Sequence, residues 1–201
     1  MAFIDTIPEE RAEAQVADMY RRVRESIGYV PNYAKVFSHR PALFDAWAQL
    51  NGTVKNAMDP RRYELATVAA AVRRRSSYCA LAHSEKLLQL GASDDEVRAL
   101  ARDTASAPLD DVERAIVEYA TRVAEAPHTV TAADIDRLRA LGLSDAEIFD
   151  VASAAAARLF FTALCDAVGA RPDAVYRETM SELLDDLAVG RPVEEPAGTT
   201  G

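Results

Sequence analysis

The chain has 201 residues, with 23 Lys and Arg against 32 Asp and Glu for a net charge of −9, and 49% of positions are hydrophobic while 7% are aromatic. A surface this acidic repels phosphate backbones and anionic lipid headgroups unless its basic residues segregate. The one dense basic run, Arg73-Arg74-Arg75, reads as cations complementing a helix C-terminus, so neither a nucleic-acid nor a membrane partner is expected.

Thirty-nine alanines and few alternating β-branched runs imply an all-α protein. The N-terminus shows no signal-peptide pattern and no run approaches the ~18–20 apolar residues of a membrane span, which reads as a cytoplasmic chain. Thr6-Ile7-Pro8-Glu9 has capping-box spacing and opens a helix with Ala12, Val16, Met19, Tyr20, Val23 and Ile27 on one face, closed by Gly28. After Tyr29-Val30-Pro31-Asn32, a short helix holds Tyr33, Val36 and Phe37. A longer one from Pro41 turns Leu43, Trp47, Leu50 and Val54 inward. Asp59-Pro60 starts a mostly apolar helix with Leu65, Val68, Ala69 and Val72, ending at the arginine run.

A further helix runs from about Ser76 to Leu90 and stops at Gly91, and Ser93 to Glu96 caps the next. Past Ala107-Pro108, the stripe Val112, Ala115, Ile116, Tyr119, Ala120 and Val123 marks a helix ending at Pro127. Thr131 caps a short helix, and Ser144 caps a long one with Ile148, Val151, Ala152, Ala155, Leu159, Ala163 and Leu164 buried. Pro172-Asp173 begins the last. Gly91 to Val97 recurs as Gly142 to Ile148, either a reused turn or a duplicated helical hairpin. The division that follows is one helical domain over 1–187 and a flexible tail over 188–201.

The stretch Ser76-Ser77-Tyr78-Cys79-Ala80-Leu81-Ala82-His83 carries the chemistry. Cys79 and His83 are four apart and share a face if helical, and a cysteine in the first turn sits where the helix dipole favours a thiolate. His83 can take the proton or hold the thiolate. Taken singly, such residues are usually an ordinary core cysteine and a structural histidine. Two ligands without a third and fourth make a metal site unattractive, His39 and His128 being distant, and no cofactor is expected. Cys79 and Cys165 lie 86 positions apart, and Cys165 among Phe161, Leu164 and Val168 reads as core.

Glu64, eleven residues, Ser76-Ser77-Tyr78-Cys79, three residues, His83 and then Gly91 together resemble the carboxymuconolactone decarboxylase superfamily, most closely its AhpD-like alkylhydroperoxidase branch. Weaker likeness, including Tyr29 to Tyr33 and Arg158-Leu159-Phe160-Phe161, extends it over 29–170. The resemblance implies an all-α AhpD-like fold, a homo-oligomer, and a Glu, Cys-x-x-Cys and His site. By that motif Cys79 is the peroxide-attacking cysteine, His83 the relay histidine and Glu64 the acid of the relay. Ser76 stands where the first cysteine would be, so a dithiol cycle at the motif is excluded and resolution falls to an external thiol. Ser76 then becomes a hydrogen-bonding group and Tyr78 a pocket wall or a core residue. On one straight helix Glu64 would lie about 22 Å from Cys79, so the chain must turn between them, near Arg73 to Ser77. Without the resemblance Glu64 reads as a solvated first-turn acid.

Three functions follow as expectations. The first is a thiol-dependent reduction of a hydroperoxide or other small molecule through Cys79. The second is an acid–base lyase of the decarboxylase type on a small carboxylated or lactone substrate, and the third is a non-catalytic helical oligomer that senses redox state or binds a partner.

Overall fold

Local cap chemistry sets several of the helix boundaries. The computed structural model describes residues 2–196, and among them all the regular secondary structure is helical, without strands. The α-helices in chain order are α1 (Ala14–Ile27), α2 (Asn32–Val36), α3 (Pro41–Ala57), α4 (Pro60–Arg73), α5 (Ser77–Gln89), α6 (Asp94–Arg102), α7 (Asp111–Glu125), α8 (Ala132–Ala140), α9 (Asp145–Ala167), α10 (Tyr176–Thr179) and α11 (Leu184–Leu187). Asp59, Ser93, Asp110, Thr131 and Ser144 each accept a hydrogen bond from the backbone N–H three residues on. The box is reciprocal at Asp110, Thr131 and Ser144, whereas at Ser93 the partner Glu96 turns to Arg61 instead. The two echoed turns adopt one geometry: Gly91 and Gly142 have φ of 96° and 94°, and the next amide bonds back to Leu87 and Leu138 in turn.

The core is built on α4. Every residue from Tyr63 to Ala71 is buried, because α4 packs against α5, α7 and α9 at once. Ala66, Ala69, Ala70 and Ala71 let those helices approach closely. Helix α9 holds an 18-residue window of mean hydropathy 1.6 and is by length and composition long and apolar enough to cross a membrane, although the sequence reading finds no such run. Half of that apolar window is buried inside the fold, which is the pattern of a core helix.

Several expectations are corrected. Thr6 does not cap the first helix: Glu9–Arg11 forms a separate 3-10 turn, Ala12 is extended, and α1 begins at Ala14, whose φ is 47°. Leu43 and Leu50 are 42% and 52% exposed, since the inward seam of α3 is Phe44, Trp47, Asn51 and Val54, where the bulky rings take the core. Ile27 and Ala163 also face outward. The last helix is broken. Asp173 is drawn away to bond the Asn32 amide and Tyr78, and Met180 and Leu183 leave helical geometry, so the chain passes through α10, a 3-10 turn and α11.

Residues 188–196, read from sequence as the start of a flexible tail, pack as a strap across the beginning of α5. The Gly190 amide donates to Ser77 Oγ at 2.8 Å, Arg75 Nε donates to the Val189 carbonyl at 3.1 Å, and Val193 is buried. Gly190 lies so close to the Arg75 carbonyl that a Cβ would collide with it. The rest of the tail, 197–201, lies outside the described residues.

Candidate active site

The turn required between Glu64 and Cys79 is present. Helix α4 ends at Arg73, Arg75 takes a left-handed φ of 55°, and Ser76 occupies the N-cap of α5, so Cys79 falls in the first turn. Glu64 is 3% exposed and accepts a hydrogen bond from His83 Nδ1 at 2.6 Å, which corrects its reading as a solvated acid. Among the described residues the other partner of the carboxylate is Lys55, whose Nζ is 4.0 Å from Oε1. With its ring proton held on Nδ1 toward Glu64, His83 keeps Nε2 as an acceptor. Burial, and then the Arg158 charge, push the imidazole down to about 4, so it is neutral at physiological pH.

Cys79 and His83 line one cavity of about 600 Å³, together with Glu64 and Tyr78. Its remaining walls include Tyr33, Trp47, Tyr63, Phe161 and Tyr176. No hydrogen bond joins Cys79 to His83 among the described residues. The thiol is 2% exposed and instead receives Arg158 Nη1 from α9 at 3.8 Å. Burial raises the Cys79 thiol above its ordinary value, and Arg158 offsets part of that, so the helix terminus alone does not favour the thiolate as the sequence suggests. Ser76 Oγ is buried and close enough to Cys79 and Asp166 to act on both. Tyr78 is both wall and core: its hydroxyl donates to Asp173, and Tyr29 donates to the same carboxylate oxygen at 3.4 Å. Cys165 is buried, and burial pushes its thiol well above the ordinary range. Among the described residues no group of three or more His, Cys, Asp or Glu side chains is arranged for a metal ion.

Residues 41–122 match the carboxymuconolactone decarboxylase family. The match spans 82 of the 201 residues. No curated protein matches the sequence. Among solved structures, the chain is similar to an uncharacterized peroxidase-related protein from Ralstonia eutropha described as an alkylhydroperoxidase AhpD core, at 22% identity and TM-score 0.79, covering 87% of this chain and 94% of that one. A peroxidase-related protein from Silicibacter is similar at 22% identity and TM-score 0.75, with 88% and 91% covered. The debrominase Bmp8, as a cysteine-to-alanine variant in complex with 2,3,4-tribromopyrrole, is similar at 17% identity and TM-score 0.72, with 89% and 96% covered. At these identities the likeness establishes the AhpD-like fold.

The carboxymuconolactone decarboxylase match is narrower than the 29–170 expected, and it holds Glu64, Ser76, Tyr78, Cys79 and His83. Outside it lie Arg158, Phe161, Asp173 and Tyr176, so the cavity is completed by chain beyond the matched segment. Sequence reasoning assigned no role to Arg158. Its one signal was an arginine in the alanine- and phenylalanine-rich middle of α9, a place where a lone cation is costly unless something receives it.

Proposed function

We propose that the protein is a thiol-dependent oxidoreductase that reduces hydroperoxides through Cys79. The observation that carries this reading is the placement in one cavity of Cys79 and a neutral His83 whose Nδ1 is tied to buried Glu64. The sulfur attacks one peroxide oxygen, the S–O bond forms as the O–O bond breaks, and the alkoxide leaves with a proton, giving an alcohol and a cysteine sulfenic acid. The thiol proton reaches that leaving oxygen through His83 Nε2, with Glu64 steadying the imidazolium while it exists. With Ser76 in place of a resolving cysteine, an external thiol condenses with the sulfenic acid, releasing water, and a second thiol frees Cys79 as its own disulfide forms.

A cavity of about 600 Å³ walled by aromatic rings exceeds what a peroxide group alone occupies, and this favours a second reading. Bmp8, bound to tribromopyrrole on the same fold, makes a halogenated aromatic ring the alternative substrate: the sulfur takes the halogen and the ring carbon takes a proton.

Intact-mass analysis of the reduced protein after brief organic hydroperoxide exposure, with a sulfenic-acid trap, tests the first reading. A rapid adduct is expected in the wild type and in Cys165→Ser, and none in Cys79→Ser. Without an adduct in the wild type the peroxidase reading fails. Thiol-dependent bromide release from tribromopyrrole then supports the second reading, and activity on carboxylated or lactone substrates that survives Cys79→Ser but not His83→Ala supports a lyase.

A further inference from the structure

Arg158 is 2% exposed, and among the described residues no carboxylate lies within ion-pair distance of it. Its Nη2 donates to Asn51 Oδ1 at 3.2 Å and to the Tyr63 hydroxyl at 3.3 Å, and its Nη1 points at Cys79 Sγ. Tyr63 in turn donates to Asn51 at 2.8 Å, so these two neutral groups also hold each other. The guanidinium lies beside the Trp47 and Phe161 rings, 5.8 and 5.6 Å from their centroids, and its buried Nε–H has no partner among the described residues. Ring faces and neutral acceptors return only part of the several kcal/mol lost when a cation leaves water. Glu64 is engaged by His83.

The anion this arrangement lacks is created when Cys79 gives up its proton. We propose that Arg158 is the counter-ion of the Cys79 thiolate, and of the sulfenate that replaces it after oxidation, while His83 moves the proton without holding the sulfur. The assignment follows from contact: Arg158 reaches Sγ, whereas His83 does not bond it and is turned to Glu64 through Nδ1. The other groups acting on the thiol are Ser76 at the start of α5, and Asp166, on α9 with Arg158. Cys165 on α9 and Tyr33 on α2 are also close enough to sense its charge. Among all of these, Arg158 is the cation in contact with the sulfur. The fork geometry fits the chemistry, since one nitrogen serves the sulfur while its twin is braced by Asn51 and Tyr63.

This inference rests on Cys79 being the reactive thiol, and its test avoids hydroperoxide so that the two readings fail separately. In a Cys165→Ala background, thiolate formation at Cys79 is followed against pH by iodoacetamide alkylation rate and by thiolate ultraviolet absorbance. Arg158→Met is expected to move the midpoint up by about one pH unit or more, the size seen when an adjacent arginine charge is lost. Under the same conditions His83→Gln should leave it in place. If Arg158→Met loses its helical circular-dichroism signal, Arg158→Gln, which keeps donors for Asn51 and Tyr63, gives the same reading. A midpoint unmoved in the arginine variant that folds, or moved further by His83→Gln than by it, overturns the proposal whether or not the protein turns over peroxide.

Discussion

Burial of His83 links the site to the stability of the whole domain. Its side chain is 16% exposed, and its ionisation is pushed from 6.5 down to about 4, chiefly by burial. Above pH 6.5 the imidazole is neutral in folded and unfolded chains alike, and ionisation costs nothing. As pH falls below 6.5 the unfolded chain binds a proton that the folded one refuses until about pH 4, so stability present above 6.5 is lost through that window. At pH 4.5 the deficit from this one residue is about 2.5 kcal/mol, at about 1.4 kcal/mol per tenfold change in proton affinity. His83→Gln has no such proton to bind. Urea denaturation of both proteins at pH 8 and at pH 4.5 reads the effect, because the carboxylates that do not touch residue 83 contribute alike in the two chains. Moving from pH 8 to pH 4.5 should shift the stability difference by about 2.5 kcal/mol in favour of the variant. If the two proteins lose equal stability, to within about 0.5 kcal/mol, the imidazole is not held neutral by the fold and the argument from burial fails.

The same neutrality predicts that peroxide reduction, measured at saturating external thiol, keeps its rate on acidification until the imidazole titrates near pH 4, and a limb centred at 6.5 would show an imidazole open to water. Gly190→Ala places a methyl group against the Arg75 carbonyl and should cost about 1–3 kcal/mol, with faster protease cleavage after Leu187; an unchanged melting temperature would show that the strap contributes nothing. Along α9, Phe149 and Phe160 are 71% and 42% exposed and Ala156 and Ala163 also face outward, an apolar stripe suited to a second copy of the chain. Sedimentation velocity should show self-association that weakens in a Phe149→Ser, Phe160→Ser double variant, and a wild type that stays monomeric at the highest concentration sedimented would refute this.

Legibility in the sequence followed the range of the forces involved. Asp59, Ser93, Thr131 and Ser144 were readable as caps because a cap is settled within four residues, and Gly91 and Gly142 because left-handed turns select glycine. Glu64 was different. Four residues after Asp-Pro a carboxylate is at home in water, and only the return of α5 against α4 encloses it and gives it His83. Arg158 required knowing that the middle of α9 meets the first turn of α5, 79 residues away in the chain. The broken C-terminal helix escaped for a similar reason: Asp173 looked like the residue that opens a helix, yet its carboxylate is taken by Tyr78 and the Asn32 amide, 95 and 141 positions distant.

The strap leaves a kinetic signature at the start of α5. Ser76 does not cap that helix with its side chain, so the amides of Ser77, Tyr78 and Cys79 depend on their surroundings for shelter. The strap covers that end through Gly190 and Arg75 and is anchored further along by Arg191 on the Asp166 carbonyl, at 2.6 Å from Nη2. Those contacts involve few apolar side chains, which places the strap among the parts of a fold that open without global unfolding. Hydrogen exchange at the cysteine's own turn will then run at the rate of strap detachment, while the interior of α4 exchanges only when the whole domain opens. The first turn of α5 is then expected to open with the C-terminal strap rather than with the helix bundle it leads into.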